Sequence, residues 1–188
     1  MLTSRGAVIT RPGAASRRVE IDAIEPVLRE HFNEIQFIRE PGTVDGGDVC
    51  EVGEHFFIGI SERTNAEGAE QLGRALESFG YSSRLIDIRG TSNILHLKSG
   101  LAYLGGKCLM VIEAFREEEE FCGYELLFAN YPEEYAANCL RVNGKVLTAA
   151  GFNETKGKLD YLGYETIALD MSEFQKMDGG LSCLSLRF

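Results

Sequence analysis

No stretch of this sequence approaches the ~18 uncharged apolar residues of a membrane-spanning helix, so a membrane partner is not expected. The opening Met1-Leu2-Thr3-Ser4-Arg5 lacks the apolar core of a secretory signal, and a cytoplasmic setting is the expectation. Cysteine is sparse and odd in number. Cys50, Cys108, Cys122, Cys139 and Cys183 never form a Cys-x-x-Cys pair, which argues against a disulfide framework or a zinc knuckle and for reduced thiols. Basic residues are also short: 19 Lys and Arg face 29 Asp and Glu, leaving a net charge of −10 that would repel a phosphate backbone. Nucleic acid is therefore excluded as an expected partner. His31 and His55 have no second ligand-type side chain at metal-binding spacing, and neither a metal nor an organic cofactor is expected.

What is present is ordinary globular material: 188 residues, 44% hydrophobic and 26% charged, read as one domain over 1–188. A short signature recurs in it, as Phe79-Gly80-Tyr81, Cys122-Gly123-Tyr124 and Leu162-Gly163-Tyr164, each after a helical pattern and before a strand pattern. The clearest helix has Asn65 as N-cap, Leu72, Ala75, Leu76 and Phe79 on one face, and Gly80 at its left-handed end, ahead of a strand from Ser83 to Ile88. Phe32-Asn33-Glu34 reads as a fourth break, with Asn33 left-handed, after a helix starting near Asp22 with Pro26 in its first turn. The breaks at Asn33, Gly80, Gly123 and Gly163 stand 47, 43 and 40 residues apart, a repeat-like period. Paired strands are expected at Glu51 to Ile60 and, around an Asn143-Gly144 turn, at Leu140 to Leu147. The acidic run Glu117 to Glu120 reads as the solvated face of a short helix. The fold class is α/β, built of repeats.

After each break the chain reaches a chemically capable side chain in or beside a strand: Asp45, His96, Asn138 and Cys183. Repeats wound about an axis would bring equivalent positions together. Asp45-Gly46-Gly47-Asp48 is most often a plain turn; chemically, Asp45 would receive a cationic group with Asp48 supporting it. His96, in an alternating Ile94 to Ser99 strand, is either a satisfied structural histidine or a general acid and base. Cys183, in a Leu181 to Leu186 strand, is either a small core residue or a nucleophile that Gly179-Gly180 lets backbone or substrate approach. Arg17 and Arg63 lie in loops just before helix starts, as solvated surface arginines or as forks for a carboxylate.

Six ordered strings resemble the dimethylarginine dimethylaminohydrolases. They are Ile9-Thr10-Arg11-Pro12-Gly13-Ala14-Ala15-Ser16-Arg17-Arg18, Asp45-Gly46-Gly47-Asp48-Val49, Gly59 to Ala69, His96-Leu97-Lys98-Ser99, Ala136-Ala137-Asn138-Cys139 and Gly180-Leu181-Ser182-Cys183. The resemblance implies a pentein-type α/β propeller of ββαβ-like units and a metal-independent cysteine hydrolase. It implies Cys183 as nucleophile, His96 as acid and base, Asp45 as the carboxylate oriented with it, and Arg17 and Arg63 as clamps on a substrate carboxylate. Met177 becomes a main-chain contact to the amino-acid end, with Asp48 and Asp178 as supporting groups. The substrate would be a methylarginine, cleaved to citrulline and an alkylamine through a covalent thiouronium. The alternatives are an arginine deiminase-like hydrolase and a catalytically impaired arginine-binding protein. Family members carry an acidic motif in a unit ahead of the first strand here. About four of five units, led by a strand at Ala7 to Thr10, are therefore expected, with a homo-oligomer among the expected assemblies.

Overall fold

A computed structural model describes residues 1–185 and divides the chain into two compact units, Met1–Gly90 and the part from Thr91 onward. In the first, strand β1 (Ala7–Ile9) leads through a 3-10 turn (Ala15–Arg17) into helix α1 (Glu20–His31), and strand β2 (Ile35–Phe37) returns parallel to β1. Next come β3 (Val49–Val52), β4 (His55–Ile60), helix α2 (Ala66–Ser78) and β5 (Ser82–Asp87). β3 runs antiparallel to β4, with Val52 opposite His55, and β5 lies parallel on the other side, with Ile60 opposite Asp87.

The second unit repeats that plan twice. A short helix α3 (Leu97–Gly100) precedes β6 (Leu101–Gly105), β7 (Cys108–Ile112) and β8 (Glu125–Ala129), ordered β6-β7-β8. Then β9 (Leu140–Val142), β10 (Lys145–Ala149), helix α4 (Asn153–Tyr161) and β11 (Glu165–Leu169) form a sheet ordered β11-β10-β9, and a short helix α5 (Ser172–Gln175) follows. Each three-stranded sheet is thus an antiparallel pair extended by a parallel strand, the α/β repeat that the spacing of breaks implied.

The recurring Gly-Tyr signature is a helix-ending device. Gly80, Gly123 and Gly163 have φ of +82°, +95° and +84°, a region a β-carbon disfavours. After α2, the Gly80 N–H reaches the Glu77 carbonyl and the Tyr81 N–H the Leu76 carbonyl; after α4, Gly163 and Tyr164 bond Asp160 and Leu159 in the same way. All four breaks stand two positions ahead of the parallel strands β2, β5, β8 and β11. The fourth differs from expectation at Asn33, because α1 ends with Phe32 already extended at φ −127°, ψ 130°. α1 also starts earlier than expected, at Glu20, which puts Pro26 beyond its first turn. No side chain caps this helix; the chain enters it from the preceding 3-10 turn through Val19 in helical conformation, so no cap residue fixes its start.

Sequence pattern also explains the cores. Central strands carry continuous apolar runs because both their faces are covered: Phe56, Phe57 and Ile58 in β4, and Leu109, Met110, Val111 and Ile112 in β7, are all buried. α2 turns Gly68, Ala69, Leu72, Ala75 and Leu76 inward, the spacing of one helix face, against Val49, Phe56 and Ile58. The link from β7 to β8 holds two 3-10 turns instead of a full helix, anchored by buried Phe115 and Phe121 with ring centroids 6.1 Å apart. Of the acidic run, Glu119 and Glu120 open the second of these turns.

Candidate functional site

The candidate residues sit at equivalent places in the repeats, on loops beyond the C-terminal ends of the parallel strands. Asp45 follows β2, His96 follows β5, Asn138 follows β8 and Cys183 follows β11. Open α/β sheets characteristically bind ligands beyond such strand ends.

In the first unit, three loops are tied to one buried carboxylate. Asp48, fully buried, accepts hydrogen bonds at Oδ2 from Ser61 Oγ and Thr64 Oγ1, each at 2.7 Å. Ser61 Oγ in turn accepts from the Arg63 and Thr64 amides at 3.0 and 3.1 Å, and Thr64 Oγ1 accepts from the Asp45 amide at 3.0 Å. Asp48 therefore fixes the loops bearing Asp45 and Arg63 to each other. Asp45, 8% exposed, accepts at Oδ1 from the Gly13 amide at 2.9 Å, drawing in the loop that leads to Arg17. A side chain at Gly13 would strike the Arg63 backbone, so glycine permits this approach.

The two arginines differ in occupancy. Arg17 donates from Nε and Nη2 to the two oxygens of Glu20 at 3.0 and 2.9 Å, the bidentate geometry its fork favours. That bond, with the charges of Glu20 and Asp45, outweighs partial burial and raises the pKa of Arg17. The half-buried Arg63 has no hydrogen-bond partner on its guanidinium among the described residues. Neither Ser61 nor Thr64 stands out in the sequence beyond its place beside Arg63; both hydroxyls matter only because folding buries a carboxylate next to them.

In the second unit, His96 and Cys183 both depart from the strands expected of them. His96, half-buried, is the residue before α3, where its carbonyl accepts from the Ser99 amide at 2.9 Å. Leu97, fully buried, is the anchor, and Gly100 lets the helix close on Ile112 and Phe115. Strand alternation fails here because a short helix, not a pleat, sets which residues face inward. Cys183 lies in a turn spanning 181–184 whose Cys183 amide bonds the Gly180 carbonyl at 3.0 Å, and its side chain is exposed. Of the other cysteines, Cys50 and Cys139 are buried and Cys108 is half-buried, while Cys122 is exposed as well.

That turn has its own fastening. Leu181 packs into the core beside Ala149 and Met171. Asn138, 6% exposed at the end of the 3-10 helix Glu134–Ala137, accepts at Oδ1 from the Ser182 amide at 2.9 Å. Tyr135, from the same 3-10 helix, donates its hydroxyl to the Gly179 carbonyl at 2.6 Å. Burial first, and then the electrostatic influence of nearby Cys183, raise the pKa of the Tyr135 phenol. The 3-10 helix also packs on α3, so one short segment adjoins both the His96 loop and the Cys183 turn. Met177 is 84% exposed, and Asp178 is exposed with φ +56°, in the turn that ends α5. Among the described residues, no group of three or more His, Cys, Asp or Glu side chains is placed to hold a metal ion, and no helix is long and apolar enough to cross a membrane.

Comparison with known proteins extends this geometry. Residues 2–126 match the arginine deiminase family model. The N(G),N(G)-dimethylarginine dimethylaminohydrolase of Pseudomonas aeruginosa is 45% identical over 189 residues, covering 100% of this chain and 73% of that protein. Its Streptomyces coelicolor counterpart is 37% identical over 183 residues, covering 96% of this chain and 68% of that protein. A solved structure of the Pseudomonas enzyme, a cysteine-to-serine mutant complexed with citrulline, superposes with a TM-score of 0.92 at 44% identity, over 100% of this chain and 73% of that one. The N-terminal domain of a cyanobacterial arginine dihydrolase has a TM-score of 0.84 at 18% identity, over 99% of this chain and 72% of that one, a likeness of fold. With matches of this extent, the chain belongs to the dimethylarginine dimethylaminohydrolase family, within the wider arginine deiminase group of pentein-type α/β folds.

Proposed function

We infer that the protein hydrolyses the guanidinium carbon of N-methylated arginine, releasing citrulline and an alkylamine. The observation that carries this reading is the 45% identity to the Pseudomonas dimethylarginine dimethylaminohydrolase across the whole of this chain. The exposed thiol of Cys183 in a side-chain-fastened turn supports it.

A guanidinium is a poor electrophile because its charge is delocalised, so attack needs a thiolate and a substrate held for tetrahedral geometry. Cys183 Sγ attacks the guanidinium carbon and forms a C–S bond. The C–N bond to the alkylamine then breaks as His96 gives that nitrogen a proton. His96 next takes a proton from water, whose oxygen adds to the thiouronium carbon; the C–S bond breaks, returning the thiolate and leaving citrulline. One water is consumed and one amine released. Arg17 and Arg63 grip the substrate α-carboxylate, Asp45 receives positive charge, and Asp48 holds the Asp45 and Arg63 loops. Met177 offers its main chain to the amino-acid end and Asp178 shapes that turn. The setting is cytoplasmic, in keeping with five cysteines that form no disulfide among the described residues. The assembly is a homo-oligomer, supported by Ile167 and Leu169, 39% and 38% exposed on edge strand β11; a solution mass above 20.8 kDa is its check.

The deciding experiment follows citrulline formation from asymmetric dimethylarginine and from arginine in parallel. Turnover of the methylated substrate, abolished by Cys183→Ser, is expected, since a serine hydroxyl stays protonated near neutral pH. Turnover of Cys183→Ser within about tenfold of the parent would overturn the nucleophile. Faster turnover of arginine would reassign the activity to deimination.

A further inference from the structure

We propose that Asn138 and Tyr135 are positioning residues for the nucleophile, acting as a two-point clamp that holds the Gly179–Cys183 turn in its reactive shape. The proposal rests on the reading of Cys183 as the nucleophile.

A turn of small residues has little to hold it. Gly179 and Gly180 together lose more backbone entropy on ordering than any other pair would. The turn's own hydrogen bonds, from the Cys183 and Leu184 amides to the Gly180 carbonyl at 3.0 and 3.3 Å, both converge on one acceptor at its start. The Gly179 amide bonds the Phe174 carbonyl of the preceding helix at 2.9 Å and Leu181 packs into the core, while the polar contacts that flank Gly180 from elsewhere in the fold come from a different segment. Asn138 Oδ1 takes the amide immediately before Cys183, and Tyr135 Oη gives its proton to the carbonyl of Gly179, so the clamp grips both sides of Gly180.

Burial makes the Asn138 contact directional. Asn138 is 6% exposed, so its amide cannot swing into water without leaving a buried polar group unpaired. A β-carbon at Gly180 would lie 2.6 Å from Asn138 Cγ, so glycine there gives the amide the space it needs. Tyr135 is braced in turn by Phe152, with ring centroids 5.6 Å apart. Because the same 3-10 helix packs on α3, whose N-terminal neighbour is His96, the clamp references the thiol to the segment that carries the proposed acid and base. Displacement of a reacting atom by about 1 Å can cost on the order of 100-fold in rate, so a clamp of this kind acts on turnover more than on binding.

The test combines amide exchange with steady-state kinetics on the full chain. Asn138→Ala is expected to speed hydrogen exchange of the Ser182 amide at least about tenfold and lower kcat by about tenfold or more, with KM within about twofold. Asn138→Asp, which keeps an acceptor at Oδ1, should restore slow exchange. Tyr135→Phe keeps the ring and loses one bond, and serves if Asn138→Ala does not fold; a kcat reduced severalfold at unchanged KM is expected. Unchanged Ser182 exchange in Asn138→Ala would overturn the clamp, and so would fast exchange with unchanged kcat. Full turnover by Cys183→Ser would instead overturn the functional reading, with the exchange data unaffected.

Discussion

Arg17 is already paired with a carboxylate of its own chain. Glu20 stands one turn further along, and both of its oxygens receive the arginine fork. Both side chains are 56% exposed, so water screens the pair and it holds only weakly. In the proposed role of Arg17, a substrate carboxylate has to displace or share Glu20, a competition worth up to about fivefold in affinity. Glu20→Ala is therefore expected to lower KM for a methylarginine by up to about fivefold at unchanged kcat, read from initial rates. A rise in KM would mean that Glu20 aims the arginine instead. The Arg17–Glu20 pair was not legible in the sequence, because an i to i+3 pair forms only once the 3-10 turn and α1 follow one another.

At the scale of an element, two helix glycines separate intrinsic propensity from packing. Alanine is favoured over glycine in a helix interior by roughly 0.5–1 kcal/mol. Gly157 in α4 has no neighbour within 4 Å of where a β-carbon would stand, so Gly157→Ala should stabilise the protein by about that amount. At Gly68 in α2 the same change would drive a β-carbon into the Thr43 backbone, which lies against the helix because Asn65 Oδ1 accepts from both the Thr43 and Gly68 amides, at 2.9 and 2.8 Å. Gly68→Ala should destabilise by about 1–3 kcal/mol. Urea denaturation of both variants checks the pair; stabilisation by both would mean that the α2 contact with Thr43 yields at little cost. The N-cap at Asn65 and the glycine end of α2 were legible because both are local devices, whereas the limits of α1 were not, since no side chain caps it.

For the whole molecule, acid should be the weak direction. His55 has its pKa lowered by burial and then by Arg84, so its contribution is full above the ordinary value near 6.5 and is lost as pH falls below it. Asp87, held by Arg89, has its pKa lowered to about 2. Asp160, bonded by Lys156 and Thr166, and Glu113, bonded by Arg116, are also lowered. At Glu133 burial opposes ionisation, but the Thr155 and Glu154 amides prevail and lower the pKa. Each lowered carboxylate adds stability above its unfolded value near pH 4, and that stability drains as pH falls through the folded value. The urea midpoint should hold from pH 8 to 7, decline as His55 protonates, and drop again between about pH 4.5 and 2. A flat midpoint between pH 5 and 3 would refute the carboxylate part.

The sequence by itself determined the repeat and its punctuation: Gly80, Gly123 and Gly163 end their segments through backbone conformations that need no distant partner, and Asn143-Gly144 turns its hairpin in the same local way. It also placed Asp45, His96, Asn138 and Cys183 after successive breaks, and each lies on a loop beyond a parallel strand of its repeat. Tertiary structure decided what those residues touch. Asp48 became a hub only when Ser61 and Thr64 were buried beside it, and His96 and Cys183 left their expected strands because Leu97 and Leu181 found cores that alternation does not describe. Asn138 stands 44 positions from Ser182 along the chain, and the bond between them exists only where two repeats pack. Hydrogen bonds of that span are set by the relative placement of elements, which local propensity does not encode.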